Sequence, residues 1–489
     1  RGARALGSAI ADLAKRVAAH VDELSLDLAR DVGAVARSGE AFYGAARDQW
    51  KDLGARATEA WDQTRSMGKG APRVARVVSA GLGLLATVRW YRLRAAAAGT
   101  ETLGLGEDAH RALSARVREL CVELRGGVLK LGQIASSRPD LVGPIWAAEL
   151  ATLQDRVPAV DGAAIVARIE EELGQTVLDA FARFDAEAVA AASLAQVHRA
   201  ELSDGRTVAI KVQVPGIDDI IAADVAALRL LAGVLGDVLP IDVTMIADEL
   251  ERALVEELDY RAEAAAATAF AADCAGTVLF VPAVVPERST ARVLTTDFVD
   301  GARLTDALAA ASTAERTRIV TALCDGLARQ VFRTGRVHGD PHPGNFLVAR
   351  DGRIAVLDFG CTLTLTAAER TGYARLLAAL ATGDRATALA ILTTLGFGGE
   401  PEALGAMAGM ITDVLRPGVS ADAIDWEAQG RAMAVEIARR ARAAGVTIPR
   451  SFVLLGRVLG TMSGLVAAYK PPIQLHAIIA PHVAAALRG

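Results

Sequence analysis

HGDPHPGN at positions 338–345, followed by VLDFG at 356–360, is the stretch on which the fold turns. In a phosphoryl-transfer site one aspartate accepts or orients the proton of the attacking hydroxyl or water. An asparagine five residues on and a second aspartate on the following strand hold magnesium against the phosphates. Asp340, Asn345 and Asp358 have that spacing. Two short apolar runs, 346–348 and 354–357, flank the turn signal at Asp351 and Gly352 and predict a hairpin that carries all three residues to one edge of a cleft. A lone DFG is weak evidence; joined to HxDxxxxN at this interval it is specific.

Upstream, VAIK at 208–211 matches the third-strand signature of protein kinases, in which a lysine clamps the α and β phosphates and a glutamate from the following helix orients it. Lys211 is the only lysine between 131 and 469. Its strand is predicted from Thr207 to Val214, after a tight turn at SDGR (203–206) and earlier strand residues Phe184, Val189 and Val197. AAASLAQV at 190–197 places Ala190, Ala192 and Ala195 where a phosphate-covering GxGxxGxV loop has its glycines. Alanine keeps the backbone N–H donors, but its Cβ disfavours positive φ and close approach to phosphate. Nucleotide is therefore expected in an altered pose along Ala190, Ala191, Ala192, Ser193, Ala195 and Val197. A helix is predicted from about Met245 to Ala272, then strand-like runs at 278–285 and 291–298, then mostly helix beyond Arg303. The expected fold class is α+β, a small β-rich lobe followed by a larger helical lobe, behind helical N-terminal segments. The expected boundaries are a helical arm over 1–75, the extension over 76–175, the small lobe over 176–300 and the large lobe over 301–489.

The 489 residues allow about two to four domains at roughly 100–200 residues each. With 52% hydrophobic and 23% charged residues the chain is globular in composition, which excludes a disordered or low-complexity architecture, and a net charge of −5 argues against a nucleic-acid binder. Of the 53 lysines and arginines only six are lysines: Lys15, Lys51, Lys69, Lys130, Lys211 and Lys470. Where charge alone is needed the chain uses arginine, so Lys130 and Lys211, set among apolar residues, mark tasks for a compact ammonium. The cysteines, Cys121, Cys274, Cys324 and Cys361, form no CxxC pair, so neither a zinc site nor a disulfide framework is predicted and a reducing, cytoplasmic compartment is expected. Apolar residues three and four apart from Leu6 to Val35 make the 1–75 arm amphipathic, suited to packing on the protein or a partner helix, or to a membrane surface. Uncharged stretches at 77–88 and 458–469 fall short of the ~20 residues that span a bilayer and read as buried helices. The tail, 471–487, reads as packed or as a membrane contact. His338 is expected to brace its loop, His198 and His342 to be structural, and Cys361 to be an inert buried thiol.

KLGQ (130–133) with SSRPDL (136–141) behind it, the alanine loop, AIKVQVPG (209–216), ELDYRAE (257–263) and HGDPHPGNF together resemble the UbiB/ADCK family of atypical kinase-like proteins, over residues 100–465. Residues 1–95 show no counterpart. The resemblance implies a protein-kinase-like fold whose helical extension lies across the cleft where a protein kinase receives its peptide. It implies a magnesium-dependent ATPase or phosphotransferase of the atypical kinase type, supporting isoprenoid-quinone or related lipid metabolism at a membrane. By position it implies that Lys211 is the phosphate clamp, Glu263 its helix partner, Asp340 the catalytic-loop aspartate, and Asn345 and Asp358 the magnesium ligands. It implies further that Lys130 and Gln133 enter the nucleotide site, with Glu257 and Asp259 as their acidic partners. Asp259 and Glu263 are four apart and expected on one helix face, so that one helix presents carboxylates towards two lysines. Asp297, in TTDFVDG (295–301), stands where the family has glutamate beside the adenine. The implied cofactors are ATP and Mg2+, the implied partners an isoprenoid or quinone-type lipid and its biosynthetic enzymes, and the implied location the cytoplasm or the inner face of the membrane. Two readings from other classes stay open. One is a small-molecule phosphotransferase of the aminoglycoside-kinase type, which shares the HGD loop but lacks KxGQ; the other is a catalytically silent nucleotide-binding scaffold.

Overall fold

The computed structural model describes residues 70–97, 106–136, 142–154, 160–192, 194–235, 257–415 and 446–488, with a few positions between 248 and 254. The predicted arm up to residue 69, residues 137–141 of SSRPDL, and Ser193 lie outside the described residues. The chain divides into two compact units, one running to Val157 and including Gly216–Leu254, the other comprising Pro158–Pro215 and everything from Val255.

The described part of the first unit is helical: Ala71–Ala97, Glu107–Leu124, Gly126–Ser136, Pro144–Leu150 and Ile217–Leu235. The predicted buried stretch at 77–88 supplies the inner face of the first helix, where Val74, Val77, Val78 and Leu85 pack with Leu120, Leu124, Ala227 and Leu231. Gly81 permits that contact, since a Cβ there would lie 2.5 Å from Leu231 Cδ1. Between the second and third helices the chain reverses through Arg125 and Gly126, at φ 55° and 60°. Asp224, fully buried, reaches into this corner from Ile217–Leu235. Its carboxylate accepts from Arg73 Nε and Nη2 at 2.7 and 2.8 Å and from the Val128 N–H at 3.2 Å. It thus caps, from another helix, the N-terminus of the helix that carries Lys130 and Gln133. Burial pushes the Asp224 carboxyl up, and Arg73 opposes the shift. Removing one partner of such a pair strands the other, so Asp224→Ala is expected to cost about 3 kcal/mol of stability. A fall in the thermal unfolding midpoint, smaller in Asp224→Asn, checks it.

The second unit contains the strands β1 (Arg183–Ala191), β2 (Ala195–Glu201), β3 (Thr207–Gln213), β4 (Leu279–Phe280), β5 (Val293–Asp297), β6 (Gly301–Arg303), β7 (Arg336–His338), β8 (Phe346–Ala349), β9 (Ile354–Val356) and β10 (Thr362–Thr364). An antiparallel sheet of order β1-β2-β3-β5 forms the small lobe. Alternate residues of β3, Val208, Ile210 and Val212, are buried against Ile165 and Ile169 of the Gly162–Leu173 helix. That helix, assigned by sequence to the extension, therefore belongs with the small lobe's core.

Two expectations change here. The helix predicted from Met245 to Ala272 is broken: Leu258 lies in a turn, and a new helix, Tyr260–Asp273, starts after Asp259. Asp259 is its N-cap, accepting from Ala262 N–H at 3.0 Å, so it does not share a helix face with Glu263. The strand predicted over 278–285 shrinks to β4, because Pro282 has no N–H to donate. β4 runs parallel to β9, Leu279 opposite Ile354, in a second sheet of order β4-β9-β8-β6. The helical lobe surrounds that sheet with a core that includes Ala267, Phe270, Leu304, Leu323, Leu327 and Phe346.

The apolar stretch at 458–469 lies within a 20-residue helix, Arg450–Tyr469, long and apolar enough to cross a membrane by length and composition, with a mean hydropathy of 1.6. Its inner face, including Leu455, Val458, Met462 and Leu465, is buried in the large-lobe core. The tail is packed, as one reading anticipated. In helix Leu475–Arg488, His482 Nε2 meets Asp325 at 2.8 Å while Arg333 Nε donates to His482 Nδ1 at 3.0 Å. Burial pushes the thiols of Cys121 and Cys324 up to about 12 and that of Cys274 to about 11, so all three stay protonated and unreactive.

Candidate active site

The site is built on β3. Val197 of β2 and Leu294 of β5 lie directly opposite Lys211 in the sheet, so the three side chains share one face. Lys211 Nζ donates to Glu263 Oε1 and Oε2 at 2.7 and 2.9 Å and to Asp358 Oδ2 at 3.3 Å, and it sits 5.1 Å from the centre of the Tyr260 ring. Asp259, by starting the helix, puts Glu263 in its first turn, where the positive end of the helix favours a carboxylate. Burial works against the Lys211 ammonium, but Asp358 and Glu263 outweigh it and its pKa is raised well above the ordinary lysine value. Burial likewise pushes Glu263 up, with Lys211 opposing.

Asp358 adopts a left-handed backbone, φ 52°, with Oδ1 accepting the Gly360 N–H at 3.0 Å. The next amide, Phe359 N–H, donates to Glu263 Oε1 at 3.2 Å, so the DFG backbone reads the position of Glu263 directly. His338 is buried beside Phe270, Phe346 and Phe359. Its Nε2 lies 2.7 Å from the Asp358 carbonyl and 3.2 Å from that of Leu357. Both are acceptors, so Nε2 carries the proton, and the ring braces the DFG turn rather than only its own loop, where it was expected to act. Asp340 is exposed; its backbone carbonyl accepts from Asn345 Nδ2 at 2.9 Å, which fixes the asparagine while leaving the Asp340 carboxylate available. His342 Nδ1 accepts the Gly344 N–H in the same turn, and buried His198 stacks on Phe184: both are structural. Cys361, expected buried, is partly exposed.

The alanine loop is the tight connection from β1 to β2, closed by Ala192 N–H donating to Ala195 O at 2.8 Å. Ala190, Ala191, Ala192 and Ala195 all avoid positive φ. Ala195 is buried in a cluster with Tyr260 and Leu294, so its methyl group packs against the ring beneath Lys211, a task glycine could not perform. Tyr260 carries this arrangement and was missed by sequence reasoning; the available signal was an aromatic residue placed immediately after the N-cap.

Glu257 stands at the DFG end of the site, its Cγ 3.8 Å from where a Cβ on Gly360 would be. Asp259 is exposed and spent on its cap. Asp297 ends β5, with Oδ1 3.6 Å from Arg206. Lys130 and Gln133 belong to the other unit, where Gln133 Nε2 donates to the Leu153 carbonyl at 3.1 Å. The structure therefore gathers Lys211, Glu263, Asp358 and Glu257, and ties Asn345 to Asp340 through the loop backbone.

The donor set fits a hard cation. Asp358 and the amide of Asn345 would offer oxygen donors, and among the described residues no group of three or more His, Cys, Asp or Glu forms a closed cage. Magnesium characteristically takes one or two protein oxygens and completes its shell with water and phosphate. Bound there, it would neutralise phosphate charge. The chain's own contribution would be Lys211 oriented on phosphate, backbone N–H groups of the alanine loop above it, and the Asp340 carboxylate facing a hydroxyl or water.

Comparison with known proteins agrees with this geometry. Residues 152–392 match the family described as ABC1 atypical kinase-like domain. The chain is 32% identical over 375 residues to the Synechocystis sp. protein slr1919, covering 75% of this chain and 66% of that one. It is 30% identical over 389 residues to Protein ACTIVITY OF BC1 COMPLEX KINASE 1, chloroplastic, of Arabidopsis thaliana, covering 78% and 57%. The chain thus spans roughly half to two thirds of the length of these relatives. Among solved structures, that of Rv3197 from Mycobacterium tuberculosis, a complex with erythromycin, superposes with a TM-score of 0.50 at 24% identity, covering 76% of this chain and 96% of that one. That likeness supports the kinase-like fold. With the family domain laid over β2, β3, the Glu263 helix, the HGD loop and DFG, the chain belongs to the ABC1 family of atypical kinase-like proteins, the UbiB/ADCK group.

Proposed function

We propose that this protein is a magnesium-dependent ATPase or phosphotransferase of the atypical kinase type that serves isoprenoid-quinone or related lipid metabolism at a membrane surface. What supports the nucleotide part is one observation: Lys211 lies between Glu263 and Asp358 within hydrogen-bonding distance of both. An ammonium so held is oriented and kept charged, and on arrival of MgATP it can exchange Asp358 for phosphate without leaving Glu263. The lipid part is carried by family resemblance.

The test is calorimetric titration of the full chain with ATP, with and without Mg2+, alongside phosphate release in the presence of vesicles of anionic phospholipid with and without an isoprenoid quinone. Binding that requires Mg2+, disappears in Lys211→Ala, and turnover that rises with quinone-bearing vesicles are expected. Binding indifferent to Mg2+ or to Lys211→Ala overturns the nucleotide reading; turnover indifferent to vesicles overturns the lipid reading.

A further inference from the structure

The helix that carries Glu263 has a second point of attachment at its far end. Asp273 closes it, ten residues beyond Glu263, about 15 Å along the axis at 1.5 Å per residue. The Arg336 fork grips that carboxylate, Nε to Oδ2 at 2.7 Å and Nη2 to Oδ1 at 2.8 Å. A carboxylate in a last helical turn faces the negative end of the helix, and no basic residue of this helix lies in that turn to offset it. Its side chain is also only 13% exposed. Asp273 is thus a costly residue at that position unless Arg336 is present, and the planar bidentate fork is the geometry that compensates best.

Arg336 opens β7. Two residues later His338 holds the carbonyls of Leu357 and Asp358, and across the strand pair Arg336 faces Thr364 of β10, the strand that follows DFG. Between the helix and this loop Phe270 fills the space, its ring centre 5.0 Å from that of Phe359 and 6.4 Å from that of His338. One rigid helix therefore touches the catalytic apparatus twice: by Glu263 on Lys211 and the Phe359 amide, and by Asp273 on the strand that delivers His338 and Asp340.

We propose that Asp273 and Arg336 are positioning residues, a clamp that fixes the register of Glu263 against the DFG turn and the catalytic loop. The helix cannot swing away from Lys211 without breaking the fork. The consequence for turnover rests on the nucleotide reading above; the structural claim does not.

The Phe359 amide is the reporter, because its acceptor is Glu263. Deuterium exchange of the full chain, read by mass spectrometry with fragmentation, is compared among wild type, Asp273→Asn, Arg336→Gln, Arg336→Lys and the exchanged pair Asp273→Arg with Arg336→Asp. Loss of a charge-assisted fork is expected to lower protection of the Phe359 amide about ten-fold in the first two variants. Arg336→Lys, which keeps charge but loses the fork, falls between, and the exchanged pair recovers most of the protection. Faster exchange confined to 270–277 and 334–338, with Phe359 unchanged, overturns the clamp. MgATP turnover of wild type, measured in parallel, separates the two claims. Turnover with an unresponsive Phe359 amide removes the clamp and leaves the nucleotide reading; a responsive amide with no MgATP binding in wild type does the reverse.

Discussion

Asp358→Asn is expected to abolish Mg2+-dependent ATP binding and to lower turnover by about 10²–10³-fold, the scale on which loss of one preorganised electrostatic contact is felt in a closed site. The replacement is nearly isosteric, and asparagine tolerates the left-handed backbone that Asp358 adopts at φ 52° better than other non-glycine residues do. The Gly360 N–H keeps an oxygen acceptor. What disappears is negative charge, at the one point where Lys211 and a metal ion would compete for it. Lys211 then rests on Glu263 alone, and the cation loses its only carboxylate among the two proposed ligands. The check is titration with MgATP and with Mg2+ alone, beside a thermal melt that should show a folded chain. A variant that still binds MgATP with wild-type affinity removes Asp358 from the metal site.

Asp340→Asn should behave differently. Its exposed carboxylate is not what fixes the loop; its backbone carbonyl does that by accepting from Asn345. Binding of MgATP should therefore survive while turnover falls by about 10²–10⁴-fold, the usual worth of a positioned general base. Rapid-quench measurement of phosphate release at saturating MgATP, together with the dissociation constant, tests the split. If affinity falls in step with turnover, Asp340 holds the nucleotide and the base is elsewhere.

The parts of the site legible in sequence were those whose geometry is local. HxDxxxxN and DFG are joined by one short hairpin, β8 to β9, so their spacing alone brings Asn345 and Asp358 near each other. VAIK was legible because β3 alternates cleanly, Val208, Ile210 and Val212 inward and Lys211 to the other face. The break before Tyr260 was not, because Glu-Leu-Asp continues a helical pattern and only the N-cap role of Asp259 interrupts it. β6, β7 and β10 are three residues each, too short to display a period. Long-range pairs left no local trace at all: Arg73 with Asp224 and Asp273 with Arg336 depend on helices and strands that meet only after folding. The purpose of Ala195 was half legible. Its Cβ was read as an obstacle to phosphate, whereas packing against Tyr260 gives it a positive role.

The parallel pairing of β4 with β9 also imposes an order of assembly. Leu279 cannot find Ile354 until the entire intervening chain, with the HGD loop, has been made, and contacts so distant in sequence form slowly. During synthesis from the N-terminus, β1, β2 and β3 can pair early, and Lys211 is in place before the sheet that anchors β4, and before the β7 arginine that holds the end of the Glu263 helix, exists. A growing chain thus holds Lys211 without its second carboxylate, Asp358, until the segment after β9 emerges, and chains cut short before residue 354 are expected to be clients for chaperones or proteases rather than half-active proteins.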